Sequence, residues 1–353
     1  MPDDFSLASP AQAAAAGTRA DALKPGTRIW TYRIGKVLRH DAYCITYAAR
    51  DAVLEHDVAI TEYLPAHAAM RTADLTVVPR STRWSEDYRW GRDRFLAEAR
   101  ALAELAGTPG IVQICDCLEA NGTAYRVALR IAGEALSVRL ARQGTLAPEA
   151  IDRLLPSLLD GLERVHAKGV LHLDIQPSKV ILDAQGNATL VGFSAAQAAL
   201  ASRQPSIPVD RTPGYAAIEQ FSDGQAGGHT DIHGLAATLY HCVTGAAPVP
   251  AIKRLAERLI PARQQAAGRY PYGLLAAIDA GLAFRSSGRP ASIEAWRASF
   301  DAQEPAPGAT AVPARADAIA VVPPAIVLPS RPQPTVLSDA PATERHRSRL
   351  TRL

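Results

Sequence analysis

One segment, residues 170 to 194, constrains the fold more than any other part of the chain. Its sequence is VLHLDIQPSKVILDAQGNATLVGFS. Two short strands, at 180 to 182 and 188 to 191, are predicted because apolar runs flank a polar turn. The tripeptide His172-Leu173-Asp174 precedes this β-hairpin, and Gly192-Phe193-Ser194 follows it. The rest of the chain is organised around this order of loop, hairpin and tripeptide.

The residues before this segment predict a β-rich lobe. Alternating apolar residues over 29 to 47 indicate two strands, and 58 to 60 indicates a third. Two further strands, at 111 to 119 and 124 to 131, are separated by Asn121-Gly122, which is a strong hairpin signal. Residues 66 to 90 are predicted to be a polar connection. One helix is predicted between this connection and the strand at 111, from the helical spacing of Phe95, Leu96, Ala99, Leu102 and Ala103.

The residues after Gly133 predict helices. An apolar stripe from Ile151 to Val165 indicates one helix. A second stripe runs from Ile232 to Val243, with Thr230 as the predicted N-cap and Gly245 at the end. From residue 303 the composition turns to Pro, Ala and Val without periodicity, ending in a basic run.

These patterns divide the chain into four parts. We expect a flexible arm over 1–27, a β-rich lobe over 28–131, a helical lobe over 132–302 and a disordered tail over 303–353. The net charge of +3 over 353 residues gives no electrostatic case for nucleic acid. The sequence has four cysteines, too few and too scattered for a disulfide framework or a zinc ribbon. We expect a cytoplasmic protein, because neither a signal peptide nor an apolar run of about 18 residues is present.

Several motifs in order resemble the bacterial, eukaryotic-like serine/threonine protein kinase family. VAIT at 58–61 resembles the V-A-I-K strand, and RFLAEARAL at 94–102 resembles the helix that carries an ion-pairing glutamate. The tripeptide at 172 to 174 stands where the family has H-R-D. TPGYAAIEQF at 212–221 and TDIHGLAATLY at 230–240 follow in the expected order. The resemblance covers about residues 28 to 302 and implies an α+β, two-lobed kinase-like fold.

The resemblance also assigns roles to individual residues. It implies Asp174 as the candidate base and Glu98 and Thr61 at the positions of the ion pair between helix and strand. It implies Glu219 and Arg289 as an ion pair that anchors the activation segment. The adenine sandwich and the apolar column that links the lobes are implied at the following positions: Ala59 and Ile181 for the sandwich, and Leu102, Ile114, His172 and Phe193, anchored at Asp231, for the column.

The chain departs from the family where phosphate and metal are bound. The loop over 39 to 44 contains no glycine, and Thr61 replaces the phosphate-binding lysine, which leaves Glu98 without that partner. Lys179 and Gly192 replace the two magnesium ligands, so no metal site is expected. Leu173 and Gln176 replace the arginine and the lysine that flank the base.

Three hypotheses follow. The first is a pseudokinase, a scaffold or allosteric regulator of a protein partner such as an active kinase or its substrate, with no cofactor. The second is a serine/threonine kinase with atypical transfer from ATP and magnesium, using Asp174 and Lys179. The third is a sensor of an adenine-like ligand. The neighbouring residue types favour a vestigial loop carboxylate at Asp174, and Lys179 is expected either to pair with it or to permit nucleotide contact without metal.

Overall fold

The computed structural model describes residues 19–193, 211–221 and 225–304. They fall within one compact unit that ends at Glu304. Antiparallel strands dominate the first part of this unit and helices dominate the second, which gives the α+β, two-lobed architecture predicted from the sequence. No helix within the described ranges is long and apolar enough to cross a membrane.

The N-lobe is a six-stranded sheet in the order β1-β2-β3-β4-β8-β7. Its neighbouring strands are antiparallel, and more buried and less buried residues alternate along most of β4, as one-sided burial requires. A separate two-stranded hairpin consists of β5 and β6. The strand bounds of this lobe are β1 Arg28–Ile29, β2 Tyr32–His40, β3 Cys44–Asp51, β4 Asp57–Tyr63, β5 Ala69–Arg71, β6 Val77–Pro79, β7 Ile114–Ala120 and β8 Thr123–Leu129.

The prediction that residues 66 to 90 form only a polar connection is wrong. This segment contains the β5–β6 hairpin and the start of helix α1, Ser85–Ala103, which begins ten residues before the predicted apolar stripe. The first turns of α1 carry charged residues, which conceal the helical period. Tyr88 and Gly91 are nevertheless buried there against the N-lobe.

The predicted arm over 1–27 is described only from residue 19 onward. In that part Leu23 is buried in the N-lobe core, and its backbone N–H donates to the hydroxyl of Tyr47. Arg19 donates to the backbone carbonyls of Asp41 and Leu64. Residues 19 to 27 therefore belong to the N-lobe. The rest of the predicted arm, and the predicted tail beyond Glu304, lie outside the described residues.

The C-lobe is built around helix α4, Gly228–Thr244, whose residues are buried along almost the whole length. The helix begins three residues earlier than predicted: Gly227 is the N-cap, and its backbone N–H donates to the side chain of Thr230. Gly245 ends the helix at a φ of 84°, as the sequence predicted. The other helices and short strands are β9 Glu134–Ala135, α2 Leu136–Gln143, α3 Pro148–Ala167, β10 Val180–Leu182, β11 Ala188–Leu190, α5 Ala262–Gln265, α6 Tyr272–Gly281 and α7 Ile293–Arg297.

The hairpin that the sequence singled out lies at the junction of the lobes. Strands β10 and β11 pair antiparallel, with Ile181 opposite Thr189, and β9 extends the same sheet. Leu102 of α1 and Ile114 of β7 pack into the core of the C-lobe together with Phe193. Apolar side chains from both lobes therefore form one continuous core next to the hairpin.

Candidate functional site

A cleft lies between the N-lobe sheet and the β10 hairpin, with a cavity of about 110 Å³. Its walls are mainly aliphatic, and the predicted sandwich residues Ala59 and Ile181 both line it. Thr61, Arg126, Arg39 and Gly192 bring polar groups or bare backbone to the same cleft. A slot with apolar walls and a few polar groups at one end is the usual form of a small-molecule site.

The predicted apolar column is assembled at the inner end of this cleft. The rings of His172 and Phe193 lie 4.6 Å apart, and Phe193 shares a buried cluster with Leu102 and Ile114. The carboxylate of Asp231 accepts the backbone N–H groups of His172 at 2.8 Å and Leu173 at 2.7 Å. These bonds hold the loop in place although Leu173 has a φ of 62°, which side chains other than glycine rarely adopt.

His172 is buried and neutral. Burial lowers its pKa to about 4, although the Asp231 carboxylate opposes the shift. Its Nδ1 accepts from the backbone N–H of Asp174 at 3.2 Å, and its Nε2 lies 3.1 Å from the carbonyl of Val191. Because Nδ1 is an acceptor, the neutral ring carries its proton on Nε2 and donates it to Val191. The imidazole of His172 thus links the loop before the hairpin to the backbone directly after strand β11.

Both carboxylate oxygens of Asp174 are engaged. Oδ2 lies 2.9 Å from Nζ of Lys179, and Oδ1 accepts from Nε2 of Gln176 at 2.7 Å. The same Gln176 amide donates to the hydroxyl of Thr212 at 2.7 Å. The Lys179 side chain is only 7% exposed, so the pair predicted at this loop is largely buried. Loss of one partner should therefore destabilise the fold more than loss of one partner of an exposed surface pair.

Of the two positions predicted to have lost their metal ligands, one is a lysine and the other is a glycine next to two cationic groups. Gly192 has a φ of 78°, and a Cβ built on it would lie 3.0 Å from Nζ of Lys179 and 3.2 Å from Nη2 of Arg39. A lysine and a glycine supply no oxygen ligand for magnesium. The described residues contain no group of three or more His, Cys, Asp or Glu that could hold a metal. The residues present do not fit a magnesium centre.

The glutamate predicted to lack a partner has one. Oε1 of Glu98 accepts from Nη1 of Arg126 at 2.8 Å, and each side chain is 6% exposed. Arg126 lies on β8 directly opposite Thr61 of β4, whose hydroxyl is 3.1 Å from that of Thr46. The cation missing at Thr61 is therefore supplied by the adjacent strand. The sequence signal was a lone arginine within an apolar strand, TAYRVAL.

The predicted ion pair of the activation segment is also present. The Arg289 guanidinium donates to both carboxylate oxygens of Glu219, at 2.6 and 3.0 Å, and its side chain is fully buried. Thr230 adds a hydrogen bond to Glu219 at 2.9 Å. Burial alone would raise the pKa of Glu219, but the hydrogen bond and charge of Arg289 outweigh it and lower the pKa.

The two lobes, the cleft and the anchored loop define the class of protein, a two-lobed protein kinase fold. The model of the protein kinase domain family matches residues 69–269, so the chain belongs to that family. Among solved structures, the one titled PpkA-294 apo form is similar with a TM-score of 0.69 and 28% identity, covering 80% of this chain and 100% of that one.

Curated relatives point to the same family. Serine/threonine-protein kinase PknE of Mycobacterium bovis is 29% identical over 228 residues, which cover 64% of this chain and 37% of PknE. The probable serine/threonine-protein kinase pknA2 of Bifidobacterium longum is 29% identical over 218 residues, covering 62% of this chain and 27% of that protein. The matches thus span only 37% and 27% of the length of these two relatives.

Proposed function

We propose that this member of the protein kinase family is a pseudokinase that acts by binding a protein partner, as a scaffold or an allosteric regulator. The observation that carries the proposal is the contact of 2.9 Å between Lys179 and Asp174, beside Gly192. An ammonium group occupies the region where phosphoryl transfer needs a divalent cation. It also engages the carboxylate that would serve as the base.

Phosphoryl transfer depends on positioning and on neutralisation of charge, with little covalent work by the protein. Loss of one preorganised electrostatic group typically lowers the rate by about 10²–10³. Here the two metal ligands and the glycines of the phosphate loop are absent together. Such losses do not simply add, but this combination removes the means of holding magnesium and the terminal phosphate.

The parts that a binding protein needs are present. The column of His172 and Phe193 is packed and tied to Asp231, and the Glu219–Arg289 pair fixes the end of the activation segment. Arg126 holds the helix of Glu98 against the sheet. The column joins the two lobes, and each ion pair braces one lobe, so the domain presents a defined surface to a partner. We place this partner, a protein rather than a nucleic acid, in the cytoplasm.

The alternative is a serine/threonine kinase with atypical transfer from ATP. The buried pair of Arg126 and Glu98 favours it, because this pair restores a cation near the phosphate region of the cleft. The names of the curated relatives are compatible with it. In this alternative Lys179 stays close to Asp174 and takes over part of the metal's charge. The third hypothesis, a sensor of an adenine-like ligand, would use only the walls at Ala59 and Ile181.

The test is phosphorylation of the chain itself and of a generic protein substrate with magnesium-ATP, alongside thermal melting. We expect no transfer above that of Asp174→Asn and no shift of the melting temperature by magnesium-ATP. A ligand at 100 times its dissociation constant would add about 2.7 kcal/mol, which a melt detects readily. Transfer that requires magnesium and disappears in Asp174→Asn would establish the kinase alternative.

A gain-of-binding variant provides the matched control. Lys179→Asn together with Gly192→Asp returns an amide and a carboxylate to the two metal positions, and aspartate tolerates a positive φ better than most residues. We expect this double variant to acquire a shift with magnesium-ATP that the native chain lacks. The absence of any such shift would show that these two positions are not what prevents metal binding.

A further inference from the structure

The inner end of the cleft contains two cationic groups around one point with no side chain. Nζ of Lys179 and Nη2 of Arg39 lie within 3.2 Å of the place where a Cβ of Gly192 would be. Arg39 comes from the end of strand β2, above the cleft, and Lys179 comes from the loop before β10, below it. Groups from both lobes therefore converge on the same small volume.

Both groups have donor capacity left. Arg39 has five N–H donors, yet its nearest carboxylate oxygen, Oδ2 of Asp41, is 3.9 Å away. Over residues 19–193, 211–221 and 225–304, no hydrogen bond of the Arg39 side chain is found. Lys179 has three donors, of which Asp174 accounts for one at 2.9 Å. A buried or half-buried cation with open donors favours an anionic ligand.

The nearby negative charges are already engaged. Asp174 is bonded to Lys179 and Gln176, and Oδ1 of Asp41 accepts the backbone N–H groups of its own turn. Glu98 is paired with Arg126. Gly192 itself adds no carboxylate beside Lys179 and Arg39. An anion next to Gly192 would meet two cations whose carboxylate neighbours within the described residues, Asp174 and Asp41, are already bonded.

The apolar part of the same cleft favours a planar ring as the second part of the ligand. Ala59 lies on one wall and Ile181 on the other, with Leu38, Val112 and Ala128 completing an aliphatic slot. A narrow slot with apolar walls accepts a planar ring, and the cationic end accepts phosphate. Arg39 and Gly192 line the same cavity as these walls, and Nζ of Lys179 lies beside Gly192. A single molecule that combines a ring with a phosphate therefore fits best: a nucleoside phosphate.

We propose that Arg39 and Lys179 bind the phosphate of a nucleoside phosphate directly, so that this domain takes the nucleotide without a divalent metal and magnesium opposes binding. The inference rests on the proposed function, since both require that magnesium has no place at Gly192. Magnesium would neutralise the phosphate and bring a third cation beside Arg39 and Lys179, with no oxygen ligand offered in return.

The experiment is titration calorimetry of the full chain with ADP and ATP, once in EDTA and once in excess magnesium chloride. We expect affinity in EDTA to be at least about tenfold higher than with magnesium, the scale of one charge-assisted hydrogen bond. Adenosine and inorganic tripolyphosphate, each in EDTA, separate the ring from the phosphate. Both should bind at least about tenfold more weakly than ATP.

Arg39→Gln should weaken ADP binding in EDTA by about tenfold or more. Arg33→Gln is the matched control, because Arg33 is an exposed arginine of the same strand outside the cleft. It should leave the affinity unchanged. Gly192→Asp is a second variant, since its carboxylate would occupy the point between the two cations. It should abolish binding in EDTA while a melt shows that the chain stays folded.

Each other result overturns the inference. No nucleotide binding in EDTA removes the metal-free site but leaves the pseudokinase proposal standing. Equal affinity with magnesium removes the metal-free site and also contradicts the absence of a magnesium-ATP shift expected above. Adenosine that binds as well as ADP would show a ring-only site, and tripolyphosphate that binds as well as ATP would remove the nucleoside part. An unchanged affinity in Arg39→Gln would remove Arg39 from the site. Magnesium-dependent phosphorylation would instead overturn the proposed function.

Discussion

Arg126 of strand β8 and Glu98 of helix α1 form a buried ion pair at 2.8 Å, one strand away from the position where the family carries its lysine. The guanidinium also lies over the ring of Phe95, 5.3 Å from its centroid. The pair and this ring contact fix the helix against the sheet. The helix is therefore positioned by a residue that the motif at 58–61 does not contain.

Removal of Arg126 should destabilise the N-lobe strongly. Arg126→Met leaves the Glu98 carboxylate buried without its partner, and breaking a buried pair in this way costs about 3–5 kcal/mol. The double variant Arg126→Met with Glu98→Leu replaces the pair by apolar groups, and it should recover most of that loss. Denaturant unfolding of both single variants and the double variant completes the cycle. A single variant as stable as the native chain would contradict the role given to the pair.

Asp174 should matter for stability, contrary to the expectation of a vestigial surface carboxylate. Asp174→Ala leaves Lys179, whose side chain is 7% exposed, without its carboxylate. We expect the free energy of unfolding to fall by well over about 1 kcal/mol and by at most about 3–5 kcal/mol. Asp152→Ala removes an exposed carboxylate of helix α3 and should stay within about 0.5 kcal/mol. Equal effects of the two substitutions in denaturant unfolding would show that the Lys179 pair contributes nothing.

Phe193 should be required for the union of the two lobes. Phe193→Ala removes a ring that is 4% exposed and packs on His172, and such truncations cost about 3–5 kcal/mol. Phe193→Leu retains much of the volume and should cost clearly less. The comparison is the free energy of unfolding from denaturant midpoints. A Leu variant that is as unstable as the Ala variant would point to a role for the aromatic ring beyond volume.

The stability that Arg289 provides should depend on the two-point contact of its guanidinium with Glu219. Arg289→Ala leaves Glu219 as an unpaired buried charge, at a cost of about 3–5 kcal/mol. Arg289→Lys keeps the charge but cannot donate to both oxygens in parallel, so it should recover only part of this. Full recovery of the midpoint by lysine would show that charge alone, without the two-point contact, is sufficient.

Stability should fall as the pH is lowered from about neutral. Burial lowers the pKa of His172 to about 4 and that of His233 to about 3, whereas both titrate near 6.5 in the unfolded chain. Below pH 6.5 the unfolded chain takes up protons that the folded chain does not, so the free energy of unfolding decreases. The slope approaches about 1.4 kcal/mol per pH unit for each histidine.

The check is denaturant unfolding between pH 7 and 5. His233→Gln should reduce the slope of the free energy of unfolding against pH by the contribution of one histidine, whatever its effect on the absolute stability. A free energy of unfolding that stays flat over this range would show that neither histidine is kept neutral by burial.

The sequence by itself determined the fold class and the order of the elements around residues 170 to 194. Apolar periodicity and turn residues are local, so the β10–β11 hairpin, the stripe of helix α3 and the end of α4 at Gly245 were predictable. Charged residues on the outer face of α1 conceal its first ten residues, because periodicity reports only the buried face.

The tertiary structure decided which charges meet. Thr61 and Arg126 are far apart in the chain but lie opposite each other in neighbouring strands, so only strand register shows that Glu98 gains a new partner. The approach of Arg39 to Lys179 across the cleft likewise depends on how the two lobes are packed. Local patterns specify elements, whereas a charge's partner and its burial depend on distances between elements. This physical difference is why the scaffold could be predicted from the sequence and the cationic site could not.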